Sequence, residues 1–165
     1  RRVLFRSRTK YGAKKLAKDI RNMGHTATEI HSNRTQAQRK ISLKGFTDWK
    51  FRILVATDIA SRGIDVVHIS VVINFDLPDQ LDDYVHRVGR TGRAGREGKA
   101  ISFVIPPQKP SIKKIEKLIG TSITLTHSKY SLEGNIDNLN QFGRISGKKK
   151  KFYSKNKSLK NRYRK

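Results

Sequence analysis

Between His86 and Arg93 the chain reads His-Arg-Val-Gly-Arg-Thr-Gly-Arg, three arginines and two glycines within eight residues, directly after Tyr84 and Val85. Arginine presents a planar fork of donors that matches phosphate oxygens, and glycine lets the backbone approach a ligand with no Cβ in the way. The combination suits a phosphate chain. Arg-Gly pairs also occur in exposed turns and in low-complexity RNA-binding segments, where they repeat; here they do not. A second group follows an apolar, β-branched run: Thr57-Asp58-Ile59-Ala60-Ser61-Arg62-Gly63-Ile64-Asp65. A lone aspartate there is ordinarily a helix or turn cap. Asp58 and Asp65 beside Arg62-Gly63, at the end of a strand, instead form a candidate site.

Helical and apolar segments alternate along the chain, the pattern of a parallel sheet with crossover helices. Ala13, Leu16, Ala17 and Ile20 give helical spacing over Lys10 to Met23, and Gly24 stops it. Thr26 to His31 reads as a short strand. Thr35 to Phe46 reads as a helix with Ala37, Ile41 and Phe46 near one face, followed by strands at Arg52 to Ala56 and Val71 to Phe75. Helix Gln80 to Arg87, strand Ala100 to Ile105 and helix Ser111 to Ile119 complete the order, with Pro106, Pro107 and Pro110 punctuating the last connection. The expected fold is α/β, with a mostly parallel sheet of five to six strands. In such sheets ligands lie beyond the carboxyl ends of the strands. After Gly120 the sequence is too poor in large apolar residues to fold alone, so residues 121–165 are expected to be a basic, disordered tail.

The formal charge is +24 over 165 residues. All 13 acidic residues lie at or before Asp137, and 11 of the 37 Lys and Arg fall in residues 144–165. Body and tail are therefore both basic, which points to a polyanionic partner. Nucleic acid fits better than a membrane: no apolar run approaches the roughly 20 residues that span a bilayer, and the tail has no amphipathic stripe. The chain has no cysteine, which excludes disulfides and thiolate metal sites and agrees with a cytoplasmic setting.

Taken with their order and spacing, three segments closely resemble motifs V, Va and VI of DEAD-box RNA helicases. They are Ala56 to Asp65, Val72-Ile73-Asn74-Phe75-Asp76-Leu77-Pro78, and Tyr84 to Arg93. The resemblance covers residues 8 to about 119, and Arg8 to Ala13 with Gln36 to Arg39 look most like the RhlE-like branch. It implies a three-layer RecA-like domain, the second of two that close over ATP and RNA. By the resemblance Arg90 and Arg93 are arginine fingers on the γ-phosphate, and Asp65 with Gly63 meets the nucleotide. His86, Arg87 and Gly89 organise the loop and link the nucleotide to the RNA. Thr57, Asp58, Arg62, Gln36 and Arg39 belong to the RNA backbone track, where contacts are sequence-independent and salt-sensitive.

Neither a Gly-x-x-x-x-Gly-Lys-Thr phosphate loop nor an Asp-Glu-Ala-Asp sequence is present. In this family those segments bind phosphates, Mg2+ and the attacking water. No metal site is therefore expected on this chain, and it is expected to be inactive until an N-terminal RecA-like domain docks. Two departures stand out: Ser32 replaces the usual Gly after His31, and Arg6 sits in a first strand that should be apolar on both faces. Burying Arg6 unpaired would cost several kcal/mol. Arg2 to Ser7 can also be encoded by a stretch resembling a short-read sequencing adapter, so residues 1–7 are expected to be non-native or a truncated strand. Two other readings stay open, a non-catalytic RNA-binding module and a DNA-directed helicase of the same superfamily.

Overall fold

The computed structural model describes residues 1–61, 66, 68–93 and 95–126. In order these hold β1 (Arg2–Ser7), α1 (Lys10–Asn22), β2 (Ala27–Ile30), α2 (Gln36–Thr47), β3 (Ile53–Thr57), α3 (Asp58–Ser61) and β4 (Ile69–Asn74). Then come α4 (Leu81–Val88), β5 (Lys99–Ser102), a 3-10 turn (Pro106–Gln108) and α5 (Lys109–Ile119). The strands form one five-stranded sheet in the order β2-β3-β1-β4-β5, and every pairing is parallel.

Alternation along the central strands sorts side chains to two faces. Leu4, Ile30, Leu54, Ala56 and Val72 pack with Phe46 and Leu43 of α2. Val3, Phe5, Ala27, Ile53 and Val55 pack with Ala13, Leu16, Ala17 and Ile20 of α1, the stripe that helical spacing predicts. The three layers are thus helix, sheet, helix. β3 is buried at all five positions, as a strand covered on both faces must be. A third cluster joins Leu77, Tyr84, Ile112 and Ile115 between α4 and α5.

Local signals set several boundaries. Thr9 caps α1 by accepting from the Gly12 amide, and Thr35 with Gln38 makes a reciprocal capping box at the start of α2. α1 runs into a turn at Gly24, whose φ of +84° suits glycine alone at little cost.

Two expectations change, and one helix is not foreseen. Ala37 and Ile41 of α2 face solvent, Ile41 to 68%, and the buried face is Ser42, Gly45 and Phe46. The small residues win because a Cβ on Gly45 would press on the Phe51 ring, in the connection to β3, and the Ser42 hydroxyl meets that of Thr28 on β2. The short helix α3 carries too little sequence to show a period. Pro110 lies inside the first turn of α5, where its missing N–H has no helical partner to lose, and not in the connection.

Arg2–Ser7 forms the central strand of the sheet, paired with β3 on one side and β4 on the other. Arg6 is 4% exposed, yet its guanidinium reaches the Asp58 carboxylate at 2.6 Å and the Ser61 hydroxyl. The expected cost of an unpaired arginine therefore does not arise. Arg2 is likewise accommodated, with its guanidinium carbon 4.0 Å from the Trp49 ring centroid and a hydrogen bond to the Thr47 carbonyl.

Candidate nucleotide and RNA site

Arg87 of α4 ties the two sequence motifs together. It is fully buried. Its Nε donates to Asp58 Oδ1 at 2.7 Å and its Nη2 to Oδ2 at 2.5 Å, a bidentate pair, while Nη1 donates to the Asp76 carbonyl at 2.5 Å. Asp58 also accepts from Arg6, so one carboxylate holds the ends of β1, β3 and α4. Burial pushes the Asp58 carboxyl up, but the hydrogen bonds from Arg87 and Arg6 outweigh it and hold it below the usual carboxylate range. Arg6 is lowered, chiefly by burial and against the pull of Asp58, with Arg87 and Arg90 adding repulsion. Asp76 closes the network from outside: its carboxylate accepts from the Ser7 hydroxyl at 3.0 Å and the Arg8 amide at 3.1 Å.

The turn after α4 carries the other arginines. Thr91 Oγ1 donates to the Ile69 carbonyl at 2.6 Å, at the start of β4, whereas Arg87 grips Asp76 beyond its end. The arginine motif is thus pinned at both ends of one strand. Arg93 Nε donates to the Gly89 carbonyl at 2.7 Å, Gly89 caps α4, and Gly92 takes φ +69°. Gly98 is required by contact, since a Cβ there would drive into Thr91 Oγ1 and the Gly92 amide. Arg90 and Arg93 line the same cleft, with His68, Ile69, Ser70, Gly92, Arg96 and Glu97. Its volume is about 70 Å³, well below the roughly 300–1,000 Å³ of a complete small-molecule pocket.

The residues expected to track RNA converge near the end of β3. Arg39 Nη2 donates to the Ala60 carbonyl at 3.0 Å and Nη1 to Gln36 Oε1 at 3.2 Å, which sets α2 beside α3 and the end of β3. Thr57 is the last residue of β3, and Gln36 is exposed. Asp58 belongs to the same neighbourhood, but its carboxylate is bound to the two arginines inside the domain. His86 is exposed on the last turn of α4. Arg62, Gly63 and Asp65 lie outside the described residues.

Sequence reasoning missed a second buried charge cluster. Glu29 of β2 is 2% exposed and meets Arg34 at 2.6 Å, Arg21 at 3.5 Å and His31 Nε2 at 3.7 Å. His31 Nδ1 accepts the Asn33 amide at 3.3 Å, so a neutral ring carries its proton on Nε2, facing Glu29. Burial lowers the His31 pKa despite Glu29. A glutamate between Thr28 and Ile30 in a parallel strand was the available signal. Ser32 sits in the following turn without a left-handed backbone, so glycine is not required there.

The profile of the helicase conserved C-terminal domain matches residues 1–95. The chain belongs to that family. RNA helicase CrhR of Synechocystis sp. is 46% identical over 116 residues, covering 70% of this chain and 24% of its own length. The helicase domain thus spans about a quarter of the length of the curated relatives it matches. Among solved structures, Escherichia coli DEAD-box protein SrmB, bound to regulator of ribonuclease activity A, superposes with a TM-score of 0.72 at 35% identity, covering 77% of this chain and 75% of that one. A DEAD-box protein from Methanococcus jannaschii gives 0.69 at 42% identity, covering 74% and 34%. This helicase domain therefore has the RecA-like fold and is of the DEAD-box type.

Proposed function

We propose that this domain is the second lobe of an ATP-dependent DEAD-box RNA helicase, of the RhlE-like branch, and that it supplies arginine fingers to ATP bound on a first lobe. The observation that carries the reading is the shared cleft of Arg90 and Arg93, presented on a turn whose threonine and glycines are fixed against β4 and Gly98. Phosphoryl transfer spreads negative charge over the γ-oxygens, and pre-placed guanidinium groups stabilise it without reorganising. The small volume of the cleft, about 70 Å³, supports a site completed by another lobe. Asp65 and Gly63 meet the ribose side of the nucleotide in this reading, and Mg2+ is held by carboxylates of the first lobe.

In this reading RNA is contacted through its sugar-phosphate backbone by Thr57, at the buried end of β3, by Gln36 and Arg39 of α2, and by Arg62. Arg87 and Asp58 couple the two sites, because the same pair that fixes the finger turn also fixes the end of β3. His86 and Gly89 complete that turn. This chain alone does not turn over ATP in the proposed scheme.

Arg93→Ala in the two-lobed enzyme tests the finger role. RNA-stimulated turnover should fall by roughly 10³ to 10⁵, with nucleotide binding and thermal melting unchanged. Survival of turnover would remove Arg93 from the reaction. Stimulation by DNA as strong as by RNA would remove the RNA-helicase assignment.

A further inference from the structure

Helix α1 carries Lys10, Lys14, Lys15, Lys18 and Arg21 against a single acid, Asp19. Its inner face is Ala13, Ala17 and Ile20. At 3.6 residues per turn, Tyr11, Lys14, Lys15 and Lys18 fall on the outer side, and all are exposed, Tyr11 to 71%, whereas Arg21 lies nearer the buried face and turns to Glu29. A solvated helix face needs polar residues but not one sign. Lys10–Lys14 and Lys14–Lys18 are like-charged pairs at i,i+4, a spacing at which cations repel and weaken the helix. Alternating signs would avoid that cost, so the stripe is accounted for by a polyanion that neutralises it.

The position of the stripe says which polyanion. Ser7 and Thr57 end β1 and β3 in register, and α1 starts three residues after Ser7. The stripe therefore begins near the strand-end surface and runs from Tyr11 to Lys18 for about 10 Å, at about 1.5 Å per residue. Lysines at i,i+4 stand about 5–6 Å apart, close to the separation of neighbouring phosphates on one strand. The Tyr11 ring lies at the upper end with the Lys10 ammonium 5.3 Å from its centroid, a surface on which a base can stack. An anionic membrane fits poorly, because the apolar face of α1 is spent on the sheet and none is left to insert.

We propose that the outer face of α1 is a second RNA-backbone contact, gripping a strand after it leaves the track at Thr57. This rests on the RNA-helicase reading above. The test uses the full chain and its Lys14→Glu/Lys18→Glu and Lys14→Gln/Lys18→Gln variants. Fluorescence anisotropy would follow single-stranded RNA of increasing length at several salt concentrations, with thermal melting as the fold control. Both variants should lose about tenfold in affinity for long RNA and almost nothing for RNA that spans only the track. For long RNA the slope of log affinity against log salt should become shallower by about 1.4, two phosphates at about 0.7 each. Unchanged slopes and affinities overturn the α1 contact and leave the helicase reading intact, as does an equal loss on short and long RNA. A loss confined to anionic phosphatidylserine vesicles overturns it in favour of a membrane. Absence of RNA binding by the unmodified chain at every length overturns both readings.

Discussion

Arg87 makes three hydrogen bonds from a fully buried position, two of them to Asp58. Removing the counter-charge from such a pair costs far more than the pair contributes, because a bare guanidinium stays in a low-dielectric site. Asp58→Asn should therefore lower stability by about 3 kcal/mol, read as a drop in the urea midpoint with an unchanged slope. The pH dependence follows from the same contact. The folded Asp58 carboxyl is held below its ordinary value, so its stabilisation is complete above the unfolded pKa of about 3.9 and is lost as pH falls through the folded one. Urea midpoints measured from pH 7 down to 3 should decline below about pH 4, and Asp58→Asn should flatten that decline. A decline equally steep in the variant would move the acid sensitivity to other carboxylates.

Elements owe their ends to single side chains and their faces to neighbours. Thr35→Ala removes the hydroxyl that receives the Gln38 amide and opens the capping box. It should cost about 1 kcal/mol, seen as a lower thermal midpoint, while Ile41→Ala on the exposed side of the same helix should change it little. That contrast separates what patterning shows from what it hides. The start of α2 is written in Thr35 and Gln38, and α1 shows its buried stripe openly. The buried face of α2 is not readable, because Gly45 faces inward under the Phe51 ring and Ser42 faces the Thr28 hydroxyl, facts about the connection to β3 and about β2. Gly98 is a comparable case: its role appears only when Thr91 and Gly92 are folded onto it.

At the scale of the whole chain the charge excess matters most. Residues 144–165 hold 11 Lys and Arg, and they lie outside the described residues. Deleting them should weaken RNA binding more at low salt than at high salt, as counterion release requires; anisotropy titrations would show it, and an unaltered affinity would leave solubility as their role. The sequence by itself determined the parallel α/β plan, because strand and helix periods differ and each element is short enough to be read locally. It also picked out the arginine-glycine segment, whose composition and spacing suit a phosphate chain. Only the tertiary structure decided that Arg6, out of place in an apolar strand, is the partner of Asp58, and that one carboxylate joins Arg87 to the end of β3. Those pairs bridge residues 52 and 29 positions apart in the chain, and charges so separated meet only once the sheet has brought its strands into register.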